Sequence, residues 1–308
     1  MLAFLFPGQG SQAPGMAADL AEIPEARALL DQADAVLGFS LTDLMFGDDP
    51  DALTPTEITQ PALYTHSLAA NAALAARGVR PDVAAGHSLG EWSALAAVGA
   101  FSFADGLRAV RRRGELMARA GDVRSGAMSA VLGLDADKLE AACAEATEAG
   151  DGEVVPANYN DPGQIVISGD APAVERAGAL ATAAGAKRVV PLPVSGAFHS
   201  PLMAFARDGL KETLEGLAIS VPSCPVVLNV TAEPTTDPEA IRLRLLDQLT
   251  APVRWAQSLE RMAADGAERF VEVGTGKVLS GLVRRTLGRE AVAVQAGTAA
   301  EVEALAAE

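Results

Sequence analysis

The chain has 308 residues, of which 49% are hydrophobic and 21% are charged, so it is long enough to bury the cores of a large and a small domain. A formal net charge of −16 argues against nucleic acid as a partner. The sequence contains no run of 18 apolar residues, the length that a membrane-spanning helix needs. The N-terminal residues lack a basic region and a cleavage site, and the two cysteines are far apart in the sequence. We therefore expect a cytoplasmic protein without disulfides.

Strands alternate with helices over the first 120 residues. The predicted elements are a strand at 2–6, a helix over 20–37, a helix from Gln60 to Gly78 with Pro61 in its first turn, a strand near Val83, a helix over 92–98, and a helix from Ser102 to about Ala120. Ser102 and Asp105 have the spacing of a capping box at the start of that last helix. This alternation is typical of a mostly parallel sheet with helices on both faces.

The pattern changes between residues 125 and 195. Strands are predicted at 128–132, 154–158, 164–168 and 187–192, and helices at 135–149 and 171–184. The order β-α-β-β-α-β is that of a ferredoxin-like unit. We therefore predict an α/β fold in which a large catalytic domain, residues 1–124 and 196–308, carries an inserted small ferredoxin-like domain, residues 125–195. The cleft between two such domains is where a substrate is expected to bind.

Residues 86–91 read Gly-His-Ser-Leu-Gly-Glu and contain a G-x-S-x-G pattern between a predicted strand and a predicted helix. In that context the serine lies on a sharp turn, the nucleophile elbow of hydrolase-like folds, and its hydroxyl is exposed above the sheet. The helix N-terminus and nearby backbone N–H groups can stabilise an oxyanion there. Ser88 is therefore the predicted nucleophile.

A nucleophilic serine needs a base within hydrogen-bond reach, and the chain has three histidines. The His87 side chain leaves the strand end in the direction opposite to Ser88, and His66 lies in an apolar helix where a structural role is expected. His199 follows the last strand of the small domain, beside the predicted cleft, and is the candidate base. A structural role for this loop histidine is the alternative. With no Cys/His cluster, no metal site is expected.

Three consecutive arginines occupy positions 111–113 of the helix that follows Ser102. A solvated helix face is the ordinary interpretation of such a run. The helical wheel places Arg112 opposite the apolar stripe, and it places Arg111 and Arg113 on the two shoulders of that stripe. A shoulder arginine can bind a carboxylate in the cleft through two hydrogen bonds. The wheel slightly favours Arg113 but leaves Arg111 open.

Five segments occur in the order and spacing of malonyl-CoA:acyl-carrier-protein transacylases, namely residues 6–12, 86–91, 113–117, 196–200 and 248–253. The chain resembles this family from about residue 2 to residue 290. The resemblance implies that Ser88 is acylated and that His199 is the base. It also implies an oxyanion hole formed by the backbone N–H groups of Gln9 and Leu89, and a pairing of Arg113 with the malonyl carboxylate.

Further substrate-binding positions follow from the same resemblance. They are Gln9, Met117, Asn158, Phe198 and Gln248, and Asn158 and Asn160 both match positions near the cleft. A backbone carbonyl near Gln248 would orient His199, and Phe198 occupies the position associated with refusing bulky α-substituents. The implied reaction is a double displacement from malonyl-CoA to the phosphopantetheine thiol of acyl carrier protein, which supplies fatty-acid or polyketide synthesis. No bound cofactor is implied, and a monomer is expected.

Two other classes of function remain open. A serine hydrolase, either a thioesterase or a patatin-like lipase, would share the elbow but would also need an Asp or Glu partner. The nearest match, Asp105, is assigned to a helix start, and this interpretation leaves the arginine unexplained. A catalytically idle module that binds carrier protein is disfavoured because Ser88 and His199 are both present.

Overall fold

The computed structural model describes residues 1–194 and 196–308, which form two β-sheets and the helices around them. The strands are β1 (Leu2–Phe6), β2 (Val83–Gly86), β3 (Ala127–Leu132), β4 (Val154–Asp161), β5 (Gln164–Gly169), β6 (Arg188–Pro191), β7 (Val226–Val227), β8 (Pro234–Thr235), β9 (Arg269–Glu272) and β10 (Val292–Gln295). The α-helices are α1 (Pro24–Leu37), α2 (Leu41–Phe46), α3 (Thr56–Ala76), α4 (Leu89–Ala97), α5 (Phe103–Val123), α6 (Ala136–Glu148), α7 (Ala171–Ala183), α8 (Ala204–Gly216), α9 (Pro238–Asp247), α10 (Trp255–Ala264), α11 (Val278–Leu287) and α12 (Ala299–Ala306).

The larger sheet has the strand order β10-β9-β1-β2-β7-β8, and all neighbouring pairs except β7–β8 are parallel. Alternate residues of β1 enter different cores, as the two-residue period of a strand requires. Phe4 and Phe6 pack in the core with α3, α4 and α5, whereas Ala3 and Leu5 pack in the core with α10 and α11. Helices therefore cover both faces, which confirms the predicted fold class.

The smaller sheet is antiparallel throughout, with the order β4-β5-β3-β6. With α6 and α7 between its strands it has the predicted ferredoxin-like sequence of elements. One face forms a separate core with α6 and α7, which includes Leu139 and Ile167. The other face, which includes Met128 and Val166, joins the core of the larger sheet. The predicted domain boundary at Ser195 lies outside the described residues, and the division into domains stays a prediction.

The two sheets are also linked through the backbone. Tyr159 N donates to the carbonyl of Val253 at 2.9 Å, and Val253 N donates to the carbonyl of Ala157 at 2.8 Å. These bonds attach the edge of β4 to the segment that follows α9. Asn158 is thereby held next to the residues that border the cleft.

Two helix starts differ from the predictions. The helix predicted over 20–37 is interrupted, because Pro24 begins α1 after a separate 3₁₀ turn at Asp19–Glu22. The helix predicted from Gln60 begins earlier, at Thr56, so Pro61 lies inside α3 and not in its first turn. A proline at this position cannot donate to the carbonyl of Glu57. Arg111 Nη1 donates to that carbonyl instead, at 2.7 Å, and satisfies the acceptor that Pro61 leaves free.

The other predicted strands and helices lie within three residues of their predicted bounds: α4 begins at Leu89, before the predicted start, and β4 extends beyond the predicted strand to include Asn160. Among residues 1–194 and 196–308, no helix is both long enough and apolar enough to cross a membrane.

Candidate active site

Ser88 occupies a strained turn between the end of β2 and the start of α4. Its backbone has φ 53° and ψ −105°, a conformation that costs a non-glycine residue about 1–3 kcal/mol. The two glycines of the motif are required for packing, since a Cβ atom at Gly86 would lie 1.9 Å from the backbone of Gly90. A Cβ atom at Gly90 would lie 1.9 Å from the carbonyl oxygen of Phe6. The turn is therefore pressed against β1, and it presents the serine hydroxyl above the sheet.

His199 is hydrogen-bonded to this serine, with 2.8 Å between its Nε2 and Ser88 Oγ. Its Nδ1 lies 2.8 Å from the backbone carbonyl of Gln248. Because a carbonyl oxygen can only accept, Nδ1 carries the proton and the Nε2 lone pair faces the serine hydroxyl. Burial, and secondly the charge of Arg113, lower the pKa of His199 to about 3, so the ring is neutral near pH 7. The pair is arranged for removal of the serine proton.

The other two histidines are held elsewhere by their own partners. His87 Nε2 is 2.8 Å from Asn160 Oδ1, and the ring packs against Trp255. His66 Nε2 is 2.7 Å from the carbonyl of Gly297. Burial lowers the pKa of both rings. Neither histidine makes a hydrogen bond with Ser88.

Arg113 points into the cleft and Arg111 does not. The Arg113 side chain is 1% exposed, and its Nη2 lies 3.1 Å from Ser88 Oγ and 3.0 Å from Gln248 Oε1. Its Nη1 donates to Gln60 Oε1 at 2.8 Å. Arg111 instead pairs with the Glu115 carboxylate on the outer side of α5. The structure thus separates the two shoulders that the helical wheel left open.

Arg113 has no ion-pair partner in the described residues, and the buried Glu91 carboxyl acts on its charge only from a distance. The hydrogen bonds of Arg113 go to amide and hydroxyl oxygens, and no carboxylate in the described part of the chain forms an ion pair with it. Burial lowers its pKa to about 10, so it stays charged at neutral pH. A buried cation of this kind is costly without an anionic partner. The site is therefore suited to a ligand that brings a carboxylate close to Ser88.

A cavity of about 120 Å³ opens at Ser88. An apolar cavity of about 150 Å³ holds benzene, so this volume suits an acyl group of about six heavy atoms, the size of a malonyl group. The predicted site residues that line it are Gln9, Ser88, Leu89, Arg113, Met117, Asn158, Phe198 and His199. Two predicted residues do not line it: Gln248 is fully buried, and Asn160 lines a neighbouring cavity. A larger cavity around His66, about 390 Å³, is not lined by Ser88.

The backbone N–H groups of Gln9 and Leu89 are free for an oxyanion. No acceptor in the described residues takes a hydrogen bond from either group. Leu89 is the first residue of α4, where the helix dipole adds partial positive charge. Gln9 follows β1, and its side chain is directed to Thr56 Oγ1 at 3.3 Å. Both residues border the cavity at Ser88.

Three buried polar residues around Ser88 escaped the sequence analysis. Gln60 binds Arg113, Asn229 accepts a hydrogen bond from Ser88 N at 2.8 Å, and Glu91 accepts one from Asn229 N at 2.5 Å. Glu91 belongs to the 86–91 motif, and its position in an otherwise apolar helix start was the available signal. Gln60 and Asn229 are far from Ser88 in sequence, and no pattern of residue spacing connects them with the 86–91 motif.

Comparisons with known proteins agree with this geometry. A family model described as "Acyl transferase domain" matches residues 3–304. The malonyl CoA-acyl carrier protein transacylase of Bacillus subtilis (strain 168) is 48% identical over 285 residues, covering 92% of this chain and 90% of the relative. The protein of the same name from Escherichia coli (strain K12) is 46% identical over 286 residues, covering 92% of each chain.

Solved structures give the same result. The crystal structure of an acyl carrier protein S-malonyltransferase from Vibrio cholerae matches with a TM-score of 0.95 at 43% identity, covering 99% of both chains. A malonyl-transacylase in complex with its type II PKS acyl-carrier protein matches with a TM-score of 0.93 at 41% identity, covering 98% of this chain and 97% of the other. This chain belongs to the acyl transferase family, and within it to the malonyl CoA-acyl carrier protein transacylases.

Proposed function

We propose that this protein transfers a malonyl group from malonyl-CoA to the phosphopantetheine thiol of an acyl carrier protein, through a malonyl ester of Ser88. The observation that carries the proposal is the buried guanidinium of Arg113, which lies 3.1 Å from Ser88 Oγ and forms no ion pair in the described residues. A malonyl thioester supplies the missing carboxylate: the carboxylate can pair with Arg113 while the thioester carbonyl carbon lies next to Ser88 Oγ. The names of the relatives, malonyl CoA-acyl carrier protein transacylases, specify the same donor and acceptor.

The first half-reaction acylates the enzyme. His199 Nε2 takes the proton of Ser88 Oγ while that oxygen attacks the thioester carbonyl, and the backbone N–H groups of Gln9 and Leu89 bind the oxyanion. The tetrahedral intermediate collapses with cleavage of the C–S bond. The proton on His199 passes to the departing CoA sulfur, which leaves as the thiol. Arg113 holds the far carboxylate throughout and fixes the orientation of the acyl group.

The second half-reaction reverses these roles. His199 Nε2 takes the proton of the phosphopantetheine thiol, and the sulfur attacks the ester carbonyl of malonyl-Ser88. The same N–H groups bind the second oxyanion. Cleavage of the C–O bond returns the electron pair to Ser88 Oγ, which recovers its proton from His199. Atoms and charge balance without a metal or bound cofactor, because the pantetheine arm belongs to the two substrates.

A second cavity, of about 150 Å³, lies beyond Gln9 and His87 and is the proposed path of the pantetheine arm. Its walls combine the amides of Asn160 and Gln164 with the apolar side chain of Leu282. This mixture matches a chain that carries both amides and methylene groups.

The free thiols of Cys143 and Cys224 support the proposed cytoplasmic location.

The nucleophile is tested by Ser88→Ala, which removes the hydroxyl without adding volume. Intact-protein mass spectrometry after exposure to malonyl-CoA should show one added malonyl group on the wild type and none on the variant. A mass gain on the variant equal to that of the wild type would place the nucleophile elsewhere. Free malonate released as fast as CoA, with no transfer to carrier protein, would instead favour the hydrolase alternative.

A further inference from the structure

Glu91 is a buried carboxyl group next to the nucleophile, and the proposed reaction gives it no role. It is the third residue of α4 and is fully buried. Its Oε2 accepts the backbone N–H of Asn229 at 2.5 Å. Its Oε1 is buried without a hydrogen bond of normal geometry in the described residues. Burial of a carboxyl group is costly, so a residue of this kind requires a structural or functional reason.

Asn229 connects Glu91 to the turn that carries Ser88. Its Oδ1 accepts from Ser88 N at 2.8 Å, and its Nδ2 donates to the carbonyl of Gly86 at 2.7 Å. Together with the bond to Glu91, Asn229 therefore contacts the elbow at three points, before, at and after the nucleophile. These contacts close a ring around the five residues from Gly86 to Gly90.

The elbow needs such support because of its backbone conformation. The φ angle of Ser88 lies in the left-handed region, and strain of this kind persists only where the surroundings hold it in place. The glycines remove steric obstacles but provide no hydrogen bonds. Gln248 adds one contact, with its Nε2 3.0 Å from the carbonyl of Ser88. The Glu91–Asn229 pair supplies the contacts on the opposite side of the serine, at its N–H group.

We propose that Glu91 is a positioning residue for Ser88: through Asn229, it holds the elbow in the conformation that presents the serine hydroxyl to His199. What Glu91 provides is an acceptor for Asn229 N, so a neutral amide oxygen at the same position can replace it. The proposal rests on Ser88 being the nucleophile of the proposed function. It concerns the reactivity of the serine and not the recognition of the acyl group, which separates it from the role of Arg113.

The test compares Glu91→Leu, which removes the acceptor at similar volume, with Glu91→Gln, which keeps an oxygen. Single-turnover acylation at saturating donor should slow at least tenfold in Glu91→Leu, with malonyl-CoA and acetyl-CoA affected equally. The dissociation constant for malonyl-CoA should stay within about twofold of wild type, and Glu91→Gln should acylate at nearly the wild-type rate. Tenfold corresponds to about 1.4 kcal/mol.

Glu272 provides a matched control. It is another fully buried glutamate that accepts backbone N–H groups, from Leu279 at 3.0 Å and from Ser280 at 2.8 Å, but in the described residues it makes no hydrogen bond with the elbow. Glu272→Leu should lower the unfolding temperature without changing the acylation rate of the folded fraction. An equal slowing in Glu272→Leu, or wild-type acylation by Glu91→Leu, would overturn the proposal. So would a Glu91→Gln variant as slow as Glu91→Leu.

If Glu91→Leu does not fold, Glu91→Met, which also lacks an acceptor, carries the test and should show the same loss for both donors. Asn229→Ala should show that loss as well, and in the Asn229→Ala background Glu91→Met should change the rate less than twofold. Crystal structures give a readout that is independent of the donor: the distance from Ser88 Oγ to His199 Nε2 should lengthen in Glu91→Met and in Asn229→Ala but not in Glu91→Gln. A wild-type protein that takes no acyl group from malonyl-CoA would contradict the proposed function, while these distances would still decide the role of Glu91.

Discussion

Truncation of Arg113 should convert the enzyme from a malonyl transferase into an indiscriminate and weak acyl transferase. Arg113→Ala leaves the malonyl carboxylate unpaired in a cleft where the arginine itself is only 1% exposed. Loss of one partner of a desolvated charge pair costs about 2–5 kcal/mol, which is from about 30-fold to about 4,000-fold in kcat/KM for malonyl-CoA. Acetyl-CoA carries no carboxylate and should not suffer this loss.

The ratio of the two donors is the quantity to measure. Arg113→Ala also removes the group that donates hydrogen bonds to the side-chain oxygens of Gln60 and Gln248. The resulting rearrangement is expected to slow malonyl transfer and acetyl transfer alike. That common effect cancels when malonyl and acetyl transfer to the same carrier protein are compared. The ratio therefore reports on carboxylate recognition alone.

Arg111→Ala is the control, because its guanidinium bonds to Glu115 and to the Glu57 carbonyl outside the cavity. It should leave the malonyl-to-acetyl ratio at the wild-type value. A ratio that collapses in Arg111→Ala and stays constant in Arg113→Ala would mean that the wrong arginine has been assigned. A ratio unchanged in both variants would remove the physical basis for malonyl selectivity.

Two further predictions concern docking and pH. Lys187 and Arg188 are exposed, and replacing both with Glu should raise the Michaelis constant for the acidic carrier protein without raising that for malonyl-CoA. Lys211→Glu, a charge change on α8, is the control. Equal effects on the Michaelis constants of both substrates would exclude the Lys187–Arg188 patch. Because the pKa of His199 is lowered to about 3, kcat/KM for malonyl-CoA should persist at pH 5, where a base of pKa about 6.5 would be only about 3% neutral. The same lowered pKa contributes stability above about pH 6.5 that is lost as the pH falls towards 3, so folding is to be monitored by circular dichroism in parallel. A fall in kcat/KM centred at pH 6.5 in folded protein would contradict the neutral-base assignment.

The elbow was predictable from sequence because its requirements are local. The contacts of Gly86 and Gly90 leave no space for a side chain, and strand and helix flank them directly. The choice between Arg111 and Arg113 was not predictable, since both lie on shoulders of the same helical stripe. It depends on a contact between helices: Gly114 of α5 packs so closely on α3 that a Cβ atom would lie 2.8 Å from the Cα of Glu57.

Long-range partners of the site were also out of reach of sequence patterns. Asn229 is 141 residues from Ser88 and Gln60 is 53 residues from Arg113, and each enters the site through its own buried hydrogen bond. Pro61 misled the prediction of the α3 start for a similar reason. The Glu57 carbonyl, which Pro61 leaves without a backbone donor, accepts a hydrogen bond from Arg111 of α5, and the sequence of α3 alone does not contain that partner.

The backbone pairing of β4 with Val253 has a consequence for assembly. An unpaired strand edge is a template onto which another chain can add a strand. Val253 occupies that edge of the smaller sheet, and its opposite edge, β6, has only four residues and ends in Pro191. In the larger sheet, β8 begins with Pro234, and Arg284 donates a hydrogen bond to the carbonyl of Ala293 on β10. The edges at β4, β6 and β8 are thus paired or shortened, and one carbonyl of β10 is already occupied, so a second protein is expected to bind through side chains and not by extending a sheet.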